Sequence, residues 1–226
     1  TRFIASLGNI LYTCSNDTLY VHHYISSNAQ VAVGNTNAHI RQATEYPVKE
    51  NVNIEVKGLE GKTLALRLPS WCADPQILVD NKPVICDIKC GYAMIPVKDD
   101  NFVLDLILPM PVTLISAHRK MRDESGKVAV QRGPVVYCVE GLDNDNELWN
   151  CYVDVKNIAS TKIESPDLCG IPVLKVPGFR RCESNEDLYL SYDKIKFEPT
   201  TLHMIPYFAF ANRGECEMRI WLNPYF

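Results

Sequence analysis

The chain opens on a helical pattern and then abandons it. Phe3, Ile4, Leu7, Ile10 and Leu11 fall at i, i+1, i+4, i+7 and i+8, one face of an α-helix. Residues Thr1–Tyr12 therefore read as opening on an amphipathic helix whose apolar face needs cover. From Thr18 onward the period shifts to two. Over Thr18–Ile25, Leu19, Val21, His23 and Ile25 share one side, and Tyr20, His22 and Tyr24 the other, which predicts a strand with bulk on both faces. Val52, Ile54 and Val56, then Leu64, Leu66 and Leu68, alternate strictly about Gly58-Leu59-Glu60-Gly61 and predict a hairpin. Gln76–Val79, Asp80-Asn81 and Lys82–Val84 predict a tighter one, because Asp and Asn tolerate the positive φ of a two-residue turn. Tyr92–Val97 and Phe102–Leu108 follow. Strands recurring every roughly eight to twelve residues between turns indicate antiparallel sandwiches rather than a βαβ sheet.

Pro109-Met110-Pro111 interrupts the pattern, since proline removes a ladder donor and restricts the residue before it. Val112–Ile115 resumes it, a polar stretch runs from Arg119 to Lys127, and Val128–Gln131, Arg132-Gly133-Pro134 and Val135–Val139 form a new strand pair. A change of domain is placed here. Asp143–Glu147 and Ser165–Gly178, the latter with three prolines, suggest long loops. Late strands are predicted at Leu188–Tyr192 and Met204–Phe210. Cys216–Leu222 reads as a terminal strand that returns to the first sandwich.

Composition narrows the function. Of 226 residues 46% are hydrophobic, ample for packed cores, so disorder is excluded. A net charge of −4 without a basic run argues against nucleic acid. The cluster His118-Arg119-Lys120-Met121-Arg122 reads as a solvated loop rather than a phosphate site. No apolar run approaches the ~20 residues that span a bilayer, so no membrane partner is expected, and a targeting signal would lie upstream of Thr1. Neither an initiator Met nor a signal-like segment opens the chain, and a C-terminal fragment of a longer protein is expected.

The nine cysteines are Cys14, Cys72, Cys86, Cys90, Cys138, Cys151, Cys169, Cys182 and Cys216. No two form a C-x-x-C pair, and Cys86-x3-Cys90 lacks a second pair or a histidine at zinc spacing. Those inside apolar strands, such as Cys138, read as small buried hydrophobes. No metal site is assigned to this chain. The odd count favours a reducing compartment, cytoplasmic over periplasmic. His22 and His23 point to opposite faces of a strand and cannot share a metal, so at least one is a packing histidine. Trp71, Trp149, Tyr152, Tyr207 and Phe208 could serve as aromatic platforms for a sugar, although aromatics at strand spacing are usually core. Trp149 sits outside any periodic pattern and is the best of them. Glu45, Glu140 and Asp154 could be nominated as a hydrolytic carboxylate pair only arbitrarily, so no catalytic residue is assigned and the substrate-binding residues stay open.

Four stretches, in order along the chain, resemble the C-terminal part of glycoside hydrolase family 127, the β-L-arabinofuranosidase family and its bacterial relatives. They are Thr44-Glu45-Tyr46-Pro47 leading into Val52–Val56; Leu64–Trp71; Gly126–Glu140, with its Gln131-Arg132-Gly133-Pro134 turn; and Ile205–Gly214 closing with Glu217–Leu222. The resemblance implies an (α/α)6 barrel followed by two β-sandwiches, the second inserted into the first. With the periodicity, this yields a mainly β fold of two antiparallel, jelly-roll-like β-sandwich domains preceded by one amphipathic helix left over from the barrel. Residues 1–13 would be that helix, 14–117 plus 214–226 the first sandwich and 118–213 the second. Severed from its barrel, the helix is expected to fray, to be shielded by a neighbouring chain or to fold back on the sandwich.

The family's nucleophile is a zinc-bound cysteine in a Cys-Cys-Pro-Pro-Asn run that would end just before Thr1. No catalytic or metal residue therefore carries over, and zinc is expected in the missing domain rather than in this chain. The implied role is a non-catalytic region of a retaining hydrolase of L-arabinofuranosides or related sugars, inactive alone, whose partner is the barrel of the same polypeptide. An independent carbohydrate-binding module is the alternative, and with it a glycan contact.

Overall fold

A computed structural model describes residues 2–164, 170–183 and 188–226. The chain divides into two compact units, Thr1–Met110 and Pro111–Phe226.

The first unit starts with one turn and a half of helix, α1 (Arg2–Ser6) and a 3-10 turn over Leu7–Ile10. It is shorter than the periodicity predicts, because the chain has already entered a strand at Tyr12. Phe3 and Ile4 are 67% and 74% exposed, and of the apolar face only Leu11 is buried. The strands are β1 (Tyr12–Cys14), β2 (Thr18–Val21), β3 (Ser27–Val33), β4 (Thr36–Thr44), β5 (Asn51–Lys57), β6 (Thr63–Arg67), β7 (Gln76–Val79), β8 (Lys82–Pro83), β9 (Asp87–Lys89), β10 (Tyr92–Pro96) and β11 (Asn101–Ile107). They make a five-stranded sheet, β1-β2-β6-β10-β9, and a six-stranded sheet, β3-β4-β5-β11-β7-β8.

One apolar core is shared by both sheets. Leu19, Leu64, Leu66 and Ile95 enter it from the first, and Ile40, Ile54, Leu104 and Leu106 from the second. Each such side chain contributes about 1.5–3 kcal/mol through burial.

The Asp80-Asn81 hairpin forms between β7 and β8 with φ of 48° and 60° at the two turn residues. The predicted hairpin around Gly58–Gly61 does not. β5 lies in the six-stranded sheet, whereas β6 pairs parallel with β2 and antiparallel with β10. Leu59 is fully buried, so the connection dives across the core edge and delivers the chain to the other sheet. Gly58 permits the bend: its φ is +73°, and a Cβ there would meet the Asn37 carbonyl at 2.7 Å.

The second unit comprises β12 (Val112–Ser116), β13 (Val128–Arg132), β14 (Val135–Glu140), β15 (Cys151–Asp154), β16 (Lys162–Glu164), β17 (Val173–Cys182), β18 (Lys196–Pro206), β19 (Met218–Arg219) and β20 (Asn223–Tyr225). Among the described residues these join in one nine-stranded sheet, ordered β12-β13-β14-β18-β17-β15-β20 with β16 on β17 and β19 on β14.

Several expectations change here. The terminal segment does not return to the first unit. β19 pairs with β14, β20 runs parallel to β15, and Leu222 bridges to Val128. Val112–Ser116 pairs with β13, so it also belongs to the second unit. The units are thus consecutive, and the division into 14–117 plus 214–226 around an inserted 118–213 is corrected.

Of the loop predicted over Ser165–Gly178, residues 165–169 lie outside those described, and from Val173 the chain is strand. Pro177 is tolerated because it falls between the stretch paired with β16 and the stretch paired with β15, where one side of the strand has no ladder partner. Leu188–Tyr192 is not a strand. The long partner of β17 is β18, which starts at Lys196 and ends at Pro206, before Tyr207–Phe210.

Candidate functional site

Trp149 is displayed by its neighbours. The 3-10 turn Leu148–Asn150 leads into β15, and Leu148 and Cys151 are fully buried on either side of it. With those two anchored inward, the indole is left outside, 67% exposed. The Arg219 guanidinium lies over the ring, 3.8 Å from its centroid, in cation–π geometry.

Arg219 is placed by β19, where Val139 faces Arg219 and Glu140 faces Met218. Met218 packs against the small core of Cys138, Ile205 and Ala209. Alternation then turns Arg219 to the opposite side of the strand, and Glu217 just before it is exposed. The Glu217 carbonyl is held by the Gly141 amide at 2.9 Å. Trp149, Glu217, Met218 and Arg219 line a concavity of about 310 Å³.

The other aromatic candidates differ in how their faces are used. Trp71 packs on the first unit's core and stacks on Tyr46 at 6.4 Å, a structural role. Tyr152 meets Phe197 edge-to-face at 5.0 Å, and Phe197 meets Tyr225 at 5.2 Å. These rings line an open groove of about 470 Å³ together with Tyr192, Asp193 and Phe226. Tyr207 and Phe208 sit exposed in the 3-10 turn after β18.

The three carboxylates are each engaged by their own partners. Glu45 is on the surface with Lys49 at 2.6 Å. Asp154 accepts the amides of Lys156 and Asn157 and the Asn157 side chain, closing a turn. Glu140 is buried, accepts the Ala211 amide at 2.9 Å and pairs with Arg213 at 2.6 Å. Arg213 also grips Asp143, and these two carboxylates push its pKa further up.

Beside them, buried Asn144 donates to the carbonyls of Glu140 and His203 and accepts the His203 amide. The sequence shows no sign of this network. Its members come from β14, β18 and two loops, with no spacing that links them.

His22 is a packing histidine. Its Nδ1 is 2.7 Å from the Tyr92 hydroxyl and its Nε2 is 2.6 Å from Thr13 Oγ1. Burial, then His23 and Arg67, lower its pKa. The eight described cysteines are free thiols, and Cys72, Cys138 and Cys151 are buried; Cys169 lies outside the described residues. Burial, reinforced by Glu140, pushes the Cys138 thiol up to about 12, which keeps it protonated. Among the described residues no three His, Cys, Asp or Glu side chains converge as a metal site. Among them, too, no helix is long and apolar enough to cross a membrane.

Residues 18–110 match the β-L-arabinofuranosidase GH127 middle domain, and residues 112–223 the glycoside hydrolase family 127 C-terminal domain. A non-reducing end β-L-arabinofuranosidase of Bifidobacterium longum subsp. longum is 30% identical over 97% of this chain, which covers 35% of that protein. The crystal structure of a GH127 β-L-arabinofuranosidase from Geobacillus stearothermophilus T6 superposes with a TM-score of 0.90 at 35% identity, over 99% of this chain and 36% of that one. A second GH127 β-arabinofuranosidase structure gives 0.85 at 26% identity, over 99% and 37%. The chain therefore spans little more than a third of the length of these relatives. With consecutive domains of one family matched across nearly all of it, the chain belongs to glycoside hydrolase family 127.

Proposed function

We propose that this chain is the non-catalytic β region of a retaining glycoside hydrolase that acts on L-arabinofuranosides or related sugars, and that it buttresses an (α/α)6 catalytic barrel of the same polypeptide. The observation that carries this reading is the pair of matches to the family's middle and C-terminal domains, with the relatives nearly three times longer. The side-chain chemistry supports it. Glu140 and Asp154 are consumed by structural hydrogen bonds, and the buried Cys138 thiol is held protonated.

Zinc finds no donor set among the described residues. In this reading the metal and the cysteine it activates belong to the barrel. The test is an assay of the 226-residue chain, with zinc supplied, on an aryl β-L-arabinofuranoside. No turnover is expected, and turnover by the chain alone would overturn the reading. An upstream reading frame without a helical barrel would overturn it equally.

A further inference from the structure

The Trp149 indole meets Arg219 and otherwise stays exposed. We infer that Trp149, Arg219 and Glu217 form a binding site for a neutral oligosaccharide, of the arabinose-containing class, on the second unit. The choice of sugar class rests on the function proposed above; the site itself rests on geometry.

Arg219 covers part of the ring, and at 67% exposure much of the remaining indole surface is open to solvent beside the concavity. Trp71 and Trp221 are half-buried, so among the tryptophans only Trp149 is displayed at the surface. A sugar ring suits that surface, because its C–H groups lie against the aromatic π-system while its hydroxyls project at the rim. The platform is also rigid. Buried Leu148 and Cys151 pin its backbone and Arg219 pins its ring, so little freedom is lost when a ligand arrives.

Hydroxyl partners stand beside it. The Arg219 guanidinium offers N–H donors beside the ring it covers, and Glu217 offers a carboxylate acceptor. Neither side chain has an ion-pair partner among the described residues. One positive and one negative charge sum to zero, which favours a neutral polyol over an anionic or cationic ligand. At about 310 Å³ the concavity sits at the small end of ligand sites, which run ~300–1,000 Å³, and suits the terminal residue of a glycan.

The larger groove at Tyr152 is a poorer platform. Its rings of Tyr152, Phe197 and Tyr225 meet one another at 5.0 and 5.2 Å and spend their faces internally.

The experiment is a titration of the 226-residue chain with an L-arabino-oligosaccharide, followed by calorimetry and tryptophan fluorescence. Saturable binding is expected, with an affinity that changes less than about twofold between about 50 and 500 mM salt, as a neutral ligand requires. Trp149→Ala should weaken it at least about tenfold, and Arg219→Ala and Glu217→Gln each about three- to tenfold. Phe208→Ala, which removes an aromatic of similar exposure (57%), should leave it unchanged. Because Trp149 is superficial, its variant should keep the urea midpoint of the parent chain.

No saturable binding, or full binding by Trp149→Ala, would overturn the site. The readout needs neither barrel nor turnover. A chain that binds the sugar but also hydrolyses arabinosides by itself would sink the supporting role and leave this site standing. An inactive chain that binds nothing would do the reverse.

Discussion

The two units solve the same problem with different materials. The first encloses an almost purely apolar core between two sheets, and its salt bridges, Arg41–Glu55 and Lys49–Glu45, lie on the surface. Among its described residues the one buried polar side chain is Gln42, whose amide nitrogen reaches the Tyr12 hydroxyl and the His23 carbonyl. The second unit, on its single sheet, buries Arg132, Glu140, Asn144 and Asp154 and leaves Trp149 and Phe208 outside. The first unit is thus held by apolar burial spread over many side chains. In the second, a few charged and amide groups tie loops to strands, and losing one partner strands another in a dry site.

The contrast can be broken by mutation, and the largest effect is expected in the first core. Leu104 is 1% exposed on β11, between β5 and β7. Leu104→Ala should cost about 2–5 kcal/mol by leaving a cavity, read as a lower urea midpoint at unchanged slope.

Arg213→Ala comes next, at about 2–3 kcal/mol, because it leaves the Glu140 carboxylate buried without its cation. Glu140→Gln should cost less, since an amide oxygen can still accept the Ala211 N–H. If the second unit were held by apolar burial alone, Arg213→Ala would instead cost under about 1 kcal/mol, as an exposed pair does.

The smallest effect is a pH dependence in the first unit. His22 has its pKa lowered from the ordinary 6.5, so the unfolded chain binds a proton more readily than the folded one. Its contribution to stability is complete above 6.5 and is lost as pH falls through the lowered folded value. His22→Gln should flatten the acid limb of a stability–pH profile. A slope identical to that of the parent would show that His22 does not set it.

Much of the fold is legible along the chain where the cause is local. Alternation finds β5, β10, β11, β13 and β14, and the Asp80-Asn81 and Gly133-Pro134 turns follow from what their residues allow at the backbone. Trp149 stands out for a similar reason, as an aromatic outside any period. The strand over Val173–Gly178 is hidden by Pro177 and by Pro172 just before it, and the Glu140–Arg213–Asp143 cluster by the 73 and 70 residues that separate its partners.

By itself, the sequence determined the direction in which each side chain leaves its strand and the places where the chain can turn, because both depend on neighbouring residues alone. Only the tertiary structure decided which strands pair, that the connection through buried Leu59 changes sheets, that Leu222 closes on Val128 in the second unit, and that Arg219 reaches the Trp149 ring. Those outcomes are set by burial and hydrogen bonding between residues far apart in the chain, and a local period carries no record of them.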